Sequence, residues 1–145
     1  MTRRALAVWV LVIVAETIHG IARTLLLAPR VGDFRARQVA VFTGSAIILG
    51  IATAFIRWIS PPSTRATLAI GVLWLVLTLT VEVAFGRATG ASWARIAEDY
   101  DLLRGGLLPI GMLVLALAPL IAVRLRRRLC RFRLGFRVVR EARPR

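Results

Sequence analysis

Lysine and asparagine are absent from this 145-residue chain, and cysteine, histidine and glutamine occur once each, as Cys130, His19 and Gln38. A lone cysteine has no intramolecular partner, which excludes a disulfide scaffold and a cysteine-based metal centre. So sparse a polar inventory leaves little for a catalyst. No nucleophile motif, phosphate-binding loop or complete metal-ligand set is present. No catalytic residue is assigned, and neither a cofactor nor a bound metal is expected. Acids are scarce as well, 7 against 21 arginines, for a net charge of +14. What remains is apolar: 58% of residues are hydrophobic and the mean hydropathy is +0.74. That composition excludes a disordered chain and fits a soluble domain poorly.

About 20 apolar residues are needed to cross roughly 30 Å of hydrocarbon. Four segments approach this length: Ala5 to about Leu27, Val39 to Ile59, Thr67 to Phe85 and Leu107 to Val123. The expected fold is therefore all-α, a polytopic membrane protein of four transmembrane helices over residues 1–123, with a basic tail over 124–145. Thr2-Arg3-Arg4 and the apolar run to Ala15 resemble the start of a signal peptide. No small-x-small cleavage site follows, however, and the polar pattern after Ala15 recurs in the third span, so the segment reads as a helix that stays. Pro29 and Gly32 are expected to end the first helix, Ser60-Pro61-Pro62-Ser63 to form a hairpin turn, and Arg104-Gly105-Gly106 to precede the fourth span.

Four spans put both termini on one side. Arginines there number two before the first span, two at the turn (Arg57, Arg65) and ten in the tail, against four and three around the other two connections. This bias favours cytoplasmic termini, and the tail decides it.

The two halves look alike. Glu16 to Gly20 is matched by Glu82 to Gly86, Asp33 by Asp101 and Gly44 by Gly111 at nearly constant offset. Each half reads as span, polar loop of about 20 residues, span, which suggests a parallel tandem repeat of two-helix units with a site at its interface.

Charges inside the spans carry the functional argument. Glu16, Gly20, Arg23 and Leu27 lie within about 40° of one line on a helix, with His19 to one side. Gly71, Leu75, Thr78, Glu82 and Gly86 form a corresponding stripe on the third span. A charge at the bilayer centre costs about 2.5–3.5 kcal/mol even on the mildest scale. Glu16 and Glu82 are therefore expected to face each other inside the bundle, with His19 or Arg23 between them. Glu16-x-x-His19 also has the spacing of a di-iron bundle ligand pair. That architecture needs a second such motif, and Phe85 occupies its histidine position.

Ser92 to Gly106 reads as a short surface helix, capped by Ser92, with Trp93, Ile96, Ala97, Tyr100 and Leu103 along one face. Its Glu98, Asp99 and Asp101, with Arg104, are expected to dock on a first loop bearing Arg30, Asp33, Arg35 and Arg37. The runs Glu16-Thr-Ile-His-Gly-Ile-Ala-Arg23-Thr-Leu-Leu-Leu-Ala-Pro-Arg-Val-Gly-Asp33 and Asp99-Tyr-Asp-Leu-Leu-Arg-Gly-Gly-Leu-Leu-Pro109 resemble those of small bacterial four-span inner-membrane proteins. The resemblance covers about Glu16 to Leu120 and leaves the tail out. It implies location and architecture, and it lends no catalytic residue.

Span two carries Ala46, Gly50 and Ala54 at four-residue intervals, preceded by Gly44. Such a stripe lets helices approach closely, here expected as an internal contact, with a dimer face as the other reading. Pro119 should kink span four. Trp9, Trp58, Trp74 and Trp93 suggest interfacial anchoring, although Trp74 lies deep for that role. In the tail, Leu125, Leu129, Phe132, Phe136 and Val139 step 4-3-4-3, while Arg124, Arg126, Arg127, Arg128, Arg131 and Arg133 fill other faces. This basic amphipathic helix is expected to bind anionic lipid headgroups. Nucleic acid is not an expected partner, since no aromatic stacking platform or recognised module accompanies the arginines. A homo-oligomer or a partner membrane protein remains open.

Three function classes follow. The favoured one is a non-enzymatic structural or accessory membrane protein whose Glu16, Arg23 and Glu82 cluster locks the bundle. The second is a small proton- or cation-coupled transporter using Glu16 and Glu82. The third is a membrane enzyme acting on a lipid or quinone, with His19 and Glu16 as base.

Overall fold

The structure, a computed structural model, describes the backbone of residues 1–141, and the side chains of these except Arg104 and 129–141. The order is α1 (Thr2–Ala22), a π-helical turn (Arg23–Leu27), α2 (Ala28–Val31), α3 (Asp33–Ile59), α4 (Thr64–Ala88), α5 (Trp93–Tyr100), a 3₁₀ turn (Leu102–Arg104) and α6 (Leu108–Glu141). No strand occurs among the described residues. Four helical stretches are long and apolar enough to span a bilayer: Thr2–Val31, Asp33–Ile59, Thr64–Ala88 and Leu108–Arg128. The chain is an all-α polytopic membrane protein. Its outward surface agrees, because Val14, Ile18, Leu25, Phe42, Val72, Val76 and Leu113 are exposed. In water that belt would aggregate; in lipid it is the required exterior.

Pro29 does not end the first helix. Its ring would crowd the carbonyl four residues back, and the chain widens into the π-helical turn directly before it. The break falls at Gly32, whose φ of 85° suits glycine. The expected first loop thus shrinks to this residue, and α3 starts at Asp33 instead of Val39. At the other end Ser60, in the left-handed region at φ 51°, closes α3, and Ser63 caps α4 by accepting from the Ala66 amide at 3.1 Å.

The helices form a ring in the order α1, α3, α6, α4. The α3/α6 pair is the most extensive contact and α1/α4 the slightest. That pattern is what two parallel hairpins produce when their second helices meet at the centre. Packing is uneven along the bundle. Buried apolar residues are Ala5, Val8 and Val12 on α1, Ile48 to Ile59 on α3, Ile70 and Trp74 on α4, and Met112 to Ala122 on α6. Met112 and Leu115 in the early turns of α6, like the buried Ala36 near the start of α3, lie toward the loops, and the others lie in the half nearer the termini. There the α1/α4 seam is closed by two indoles: Trp9 Nε1 donates to Thr78 Oγ1 at 3.0 Å, and Trp74 Nε1 donates to the Ala5 carbonyl at 2.9 Å. Trp9 is thus turned inward, and only Trp58 and Trp93 are exposed as interfacial anchors would be.

The small-residue stripe on α3 is rotated outward. Ala46, Gly50 and Ala54 are exposed, and a Cβ at Gly50 would meet nothing within 4 Å. The internal contact expected of them is made by Gly44, Ile48, Ala52 and Ile56. Close approach instead occurs between α4 and α6, where Gly71 lies against the Ala116 carbonyl. Pro119 is fully buried and does not interrupt α6, which runs on through Glu141 with no backbone break at Val123.

Candidate functional site

Beyond the Trp seam, the α1/α4 side of the bundle opens toward the loops. A cavity of about 690 Å³ lies between α1, α3 and the last turns of α4, with Gly111 of α6 at its inner wall. Glu16, His19, Gly20 and Arg23 line it from α1, Arg37, Gly44 and Ser45 from α3, and Glu82 and Phe85 from α4. Two of the matched pairs of the internal repeat, Glu16 with Glu82 and Gly44 with Gly111, therefore converge on one space. Three-residue and four-residue steps bring Ile13, Glu16, Gly20 and Arg23 onto the same face of α1.

Glu16 packs directly over Gly44. A Cβ there would lie 2.7 Å from Oε2, so the glycine is what lets the carboxylate fold down onto α3. Oε1 is buried and has no hydrogen-bond partner among the described residues. Oε2 faces His19 Nδ1 at 3.5 Å, and His19 Nε2 meets Thr43 Oγ1 at 2.8 Å. The Thr43 hydroxyl also reaches back to the Val39 carbonyl at 3.2 Å. A hydroxyl has one proton. While it donates backward it accepts from Nε2–H, and Nδ1 is the ring nitrogen left facing Glu16.

Arg23 does not join the carboxylates. It pairs with Asp33 at 3.3 Å, because the π-helical turn and the sharp bend at Gly32 bring the start of α3 beside it. Glu82 forms no hydrogen bond or ion pair among the described residues, and it lines both the large cavity and a smaller one of about 210 Å³ beneath α5. The ion pairs run along the rim instead. Asp33 joins Arg23 to Arg37 (2.9 Å), Arg37 reaches Asp99 (3.5 Å), and Arg95 holds Asp99 (3.4 Å) and Glu98 (3.3 Å).

Docking between the two polar connections thus rests on Arg37 with Asp99, and on Gln38, whose Nε2 donates to the Gly105 carbonyl at 3.2 Å. Arg30 and Arg35 are exposed and make no ion pair among the described residues. Asp101 accepts from the Leu103 amide at 3.0 Å. The surface helix is shorter than its apolar spacing predicts: α5 stops at Tyr100, and Leu103 is 99% exposed. The Arg104 side chain lies outside the described residues.

In the tail, Arg124, Arg127 and Arg128 are exposed. Arg126 is not a free lipid contact, since it donates to the Thr53 carbonyl at 2.9 Å and the Ala54 carbonyl at 3.2 Å on α3. The side chains of Arg131 and Arg133, and of Leu129, Phe132, Phe136 and Val139, lie outside the described residues. No group of three or more His, Cys, Asp or Glu suited to a metal occurs among the described residues.

Sequence reasoning missed Thr43, Gln38 and Tyr100. Tyr100 lines the smaller cavity together with Glu82, Arg95 and Asp99, and its hydroxyl is buried without a hydrogen-bond partner among the described residues. Burial pushes the phenol above its ordinary pKa, and the nearby Glu82 and Asp99 carboxylates push it the same way. Tyr100 is the single tyrosine, so absorbance near 295 nm reads it alone. The folded protein should titrate at higher pH than the unfolded chain, and Glu82→Gln should lower that midpoint. A phenol pKa raised by folding contributes stability that is intact below the unfolded value and is lost as pH rises through the folded value. A midpoint indifferent to Glu82→Gln would refute the proximity.

Comparison with protein-family models, curated proteins and solved structures finds no match for this chain.

Proposed function

We propose that this chain is a small cation-handling membrane carrier, protons included, that binds its cargo at Glu16 and Glu82. One observation carries the reading: two carboxylates line one cavity, and neither is held by an arginine among the described residues. Uncompensated charge inside a span is costly and marks ion pathways and proton relays. Glu16 faces the His19 imidazole at 3.5 Å, and Glu82 stands between the main cavity and the smaller one under α5, on a route toward the loop-side water.

A bacterial inner-membrane location with cytoplasmic termini fits the arginine count: fourteen at the terminal end, ten of them in the tail, against seven around the loop-side connections, so that the tail decides it. The exposed arginines suit anionic lipid headgroups.

A second reading, a structural or accessory membrane protein, is favoured by the rim chain from Arg23 through Asp33, Arg37 and Asp99 to Arg95. The two separate on one double variant. In the carrier, Glu16→Gln with Glu82→Gln leaves thermal stability in detergent within about 1 kcal/mol of wild type, since no ion pair to an arginine is broken, and abolishes proton-driven cation flux in proteoliposomes. A marked drop in melting temperature, together with loss of its dependence between pH 5 and pH 9, would establish the structural role and remove the carrier.

A further inference from the structure

We infer that the cavity takes a lipophilic organic cation, admitted sideways from the bilayer between α1 and α4; this rests on the carrier reading. The walls combine two chemistries. Glu16 and Glu82 supply negative charge, while Ile13, Ile48 and Val81 present hydrocarbon. The arginines that share the wall are taken: Arg23 by Asp33, and Arg37 by Asp33 and Asp99. The space therefore holds two carboxylates that no described arginine pairs with, one of them facing His19, inside an apolar shell.

That combination discriminates among ligands. An anion meets two carboxylates and no free guanidinium on the wall. A neutral lipid chain would cover the hydrocarbon and leave the carboxylates buried and unpaired. A hard inorganic cation such as calcium takes six to eight oxygen ligands, whereas the wall holds two carboxylates and a few hydroxyls, and about 690 Å³ far exceeds a bare ion. It falls in the range of roughly 300–1,000 Å³ used for drug-sized molecules. A delocalised or quaternary cation fits on each count: weakly hydrated, bulky, apolar at its surface and positive at its centre.

The side opening follows from the fold. α1 and α4 are the least-packed neighbours of the ring, and their indole bridges, Trp9 to Thr78 and Trp74 to Ala5, lie only at the terminal end. Toward the loops the same two helices present Ile21, 55% exposed, and Phe85, 69% exposed, both also lining the cavity. Phe85 offers an aromatic face to an arriving cation at that mouth.

The test is calorimetric titration of the purified full chain in detergent with tetraphenylphosphonium, alongside the uncharged analogue triphenylphosphine oxide. Saturable binding of the cation but not of the analogue is expected, weakening as pH falls because protons compete for Glu16 and Glu82. Binding should weaken at least about tenfold in Glu16→Gln with Glu82→Gln, a loss equal to about 1.4 kcal/mol. Gly20→Trp gives a second reading that leaves both charges in place. Gly20 lines the cavity, and a Cβ there meets nothing within 4 Å. The indole should fill the space, leave melting unchanged and abolish binding. Equal binding by wild type and both variants means partition into detergent and overturns the inference. Absence of phosphonium binding with intact proton or sodium flux overturns it while the carrier stands. Absence of both overturns the two together.

Discussion

Trp74→Ala is expected to lower the stability of the folded bundle by about 3–5 kcal/mol, the range for emptying a buried aromatic site. Trp74 is 0% exposed and lies across the seam where α1 and α4 touch least. In lipid the apolar drive between helices is missing, because lipid tails are as apolar as the side chains. Association then rests on dispersion contacts and interhelical hydrogen bonds. Removing the indole removes both at once: the packing volume, and the bond to the Ala5 carbonyl at 2.9 Å. Trp74→Phe separates them. It keeps most of the volume and loses only the donor, an effect of about 1 kcal/mol, since the Ala5 carbonyl retains its intrahelical donor. Melting curves in detergent read both variants. If the alanine variant melts with wild type, the seam does not depend on this ring.

Gly71→Ala is expected to cost about 1–3 kcal/mol or more through forced separation of α4 and α6. The new methyl would meet the Ala116 carbonyl oxygen and its carbon at 2.9 Å. Both obstacles are backbone, so no flexible side chain can swing away to make room. The contrast is Gly50→Ala on α3. There a Cβ meets nothing within 4 Å, and alanine is the better helix former by roughly 0.5–1 kcal/mol. The same chemical change is therefore expected to have opposite signs at the two glycines. Equal effects would show that the α4/α6 crossing is looser than this packing.

The difference between those glycines marks how far the sequence could be read. Ala46, Gly50 and Ala54 look like a packing stripe because four-residue spacing is the whole of that signal. Nothing in spacing says which way a helix is rotated, and in lipid both faces are apolar. Gly71 carried no such stripe, yet it lies directly against the Ala116 backbone of α6. Arg23 shows a related limit. Its place on the Glu16 face was legible from helix periodicity, but its partner was not, since Asp33 comes within 3.3 Å only through the bend at Gly32. Thr43 was invisible for a similar reason: threonine is ordinary in a membrane helix, and its role depends on where α1 lies against α3.

Residue content and periodicity alone determined the four spans, the turn at Ser60 to Ser63, the N-cap of the surface helix at Ser92, and the presence of Glu16, His19 and Glu82 at a similar depth. These are one-dimensional properties: apolar length against bilayer thickness, backbone preferences of proline and glycine, and 100° per residue. Only the tertiary structure decided that a cavity opens between α1, α3 and α4 on the loop side of the Trp seam, that Gly44 makes room for the Glu16 carboxylate, and that Arg23, Arg37 and Arg95 pair along the rim. Those outcomes depend on how two hairpins are rotated and spaced against each other. That is settled by side-chain interlocking between segments distant in the chain, which no local pattern encodes.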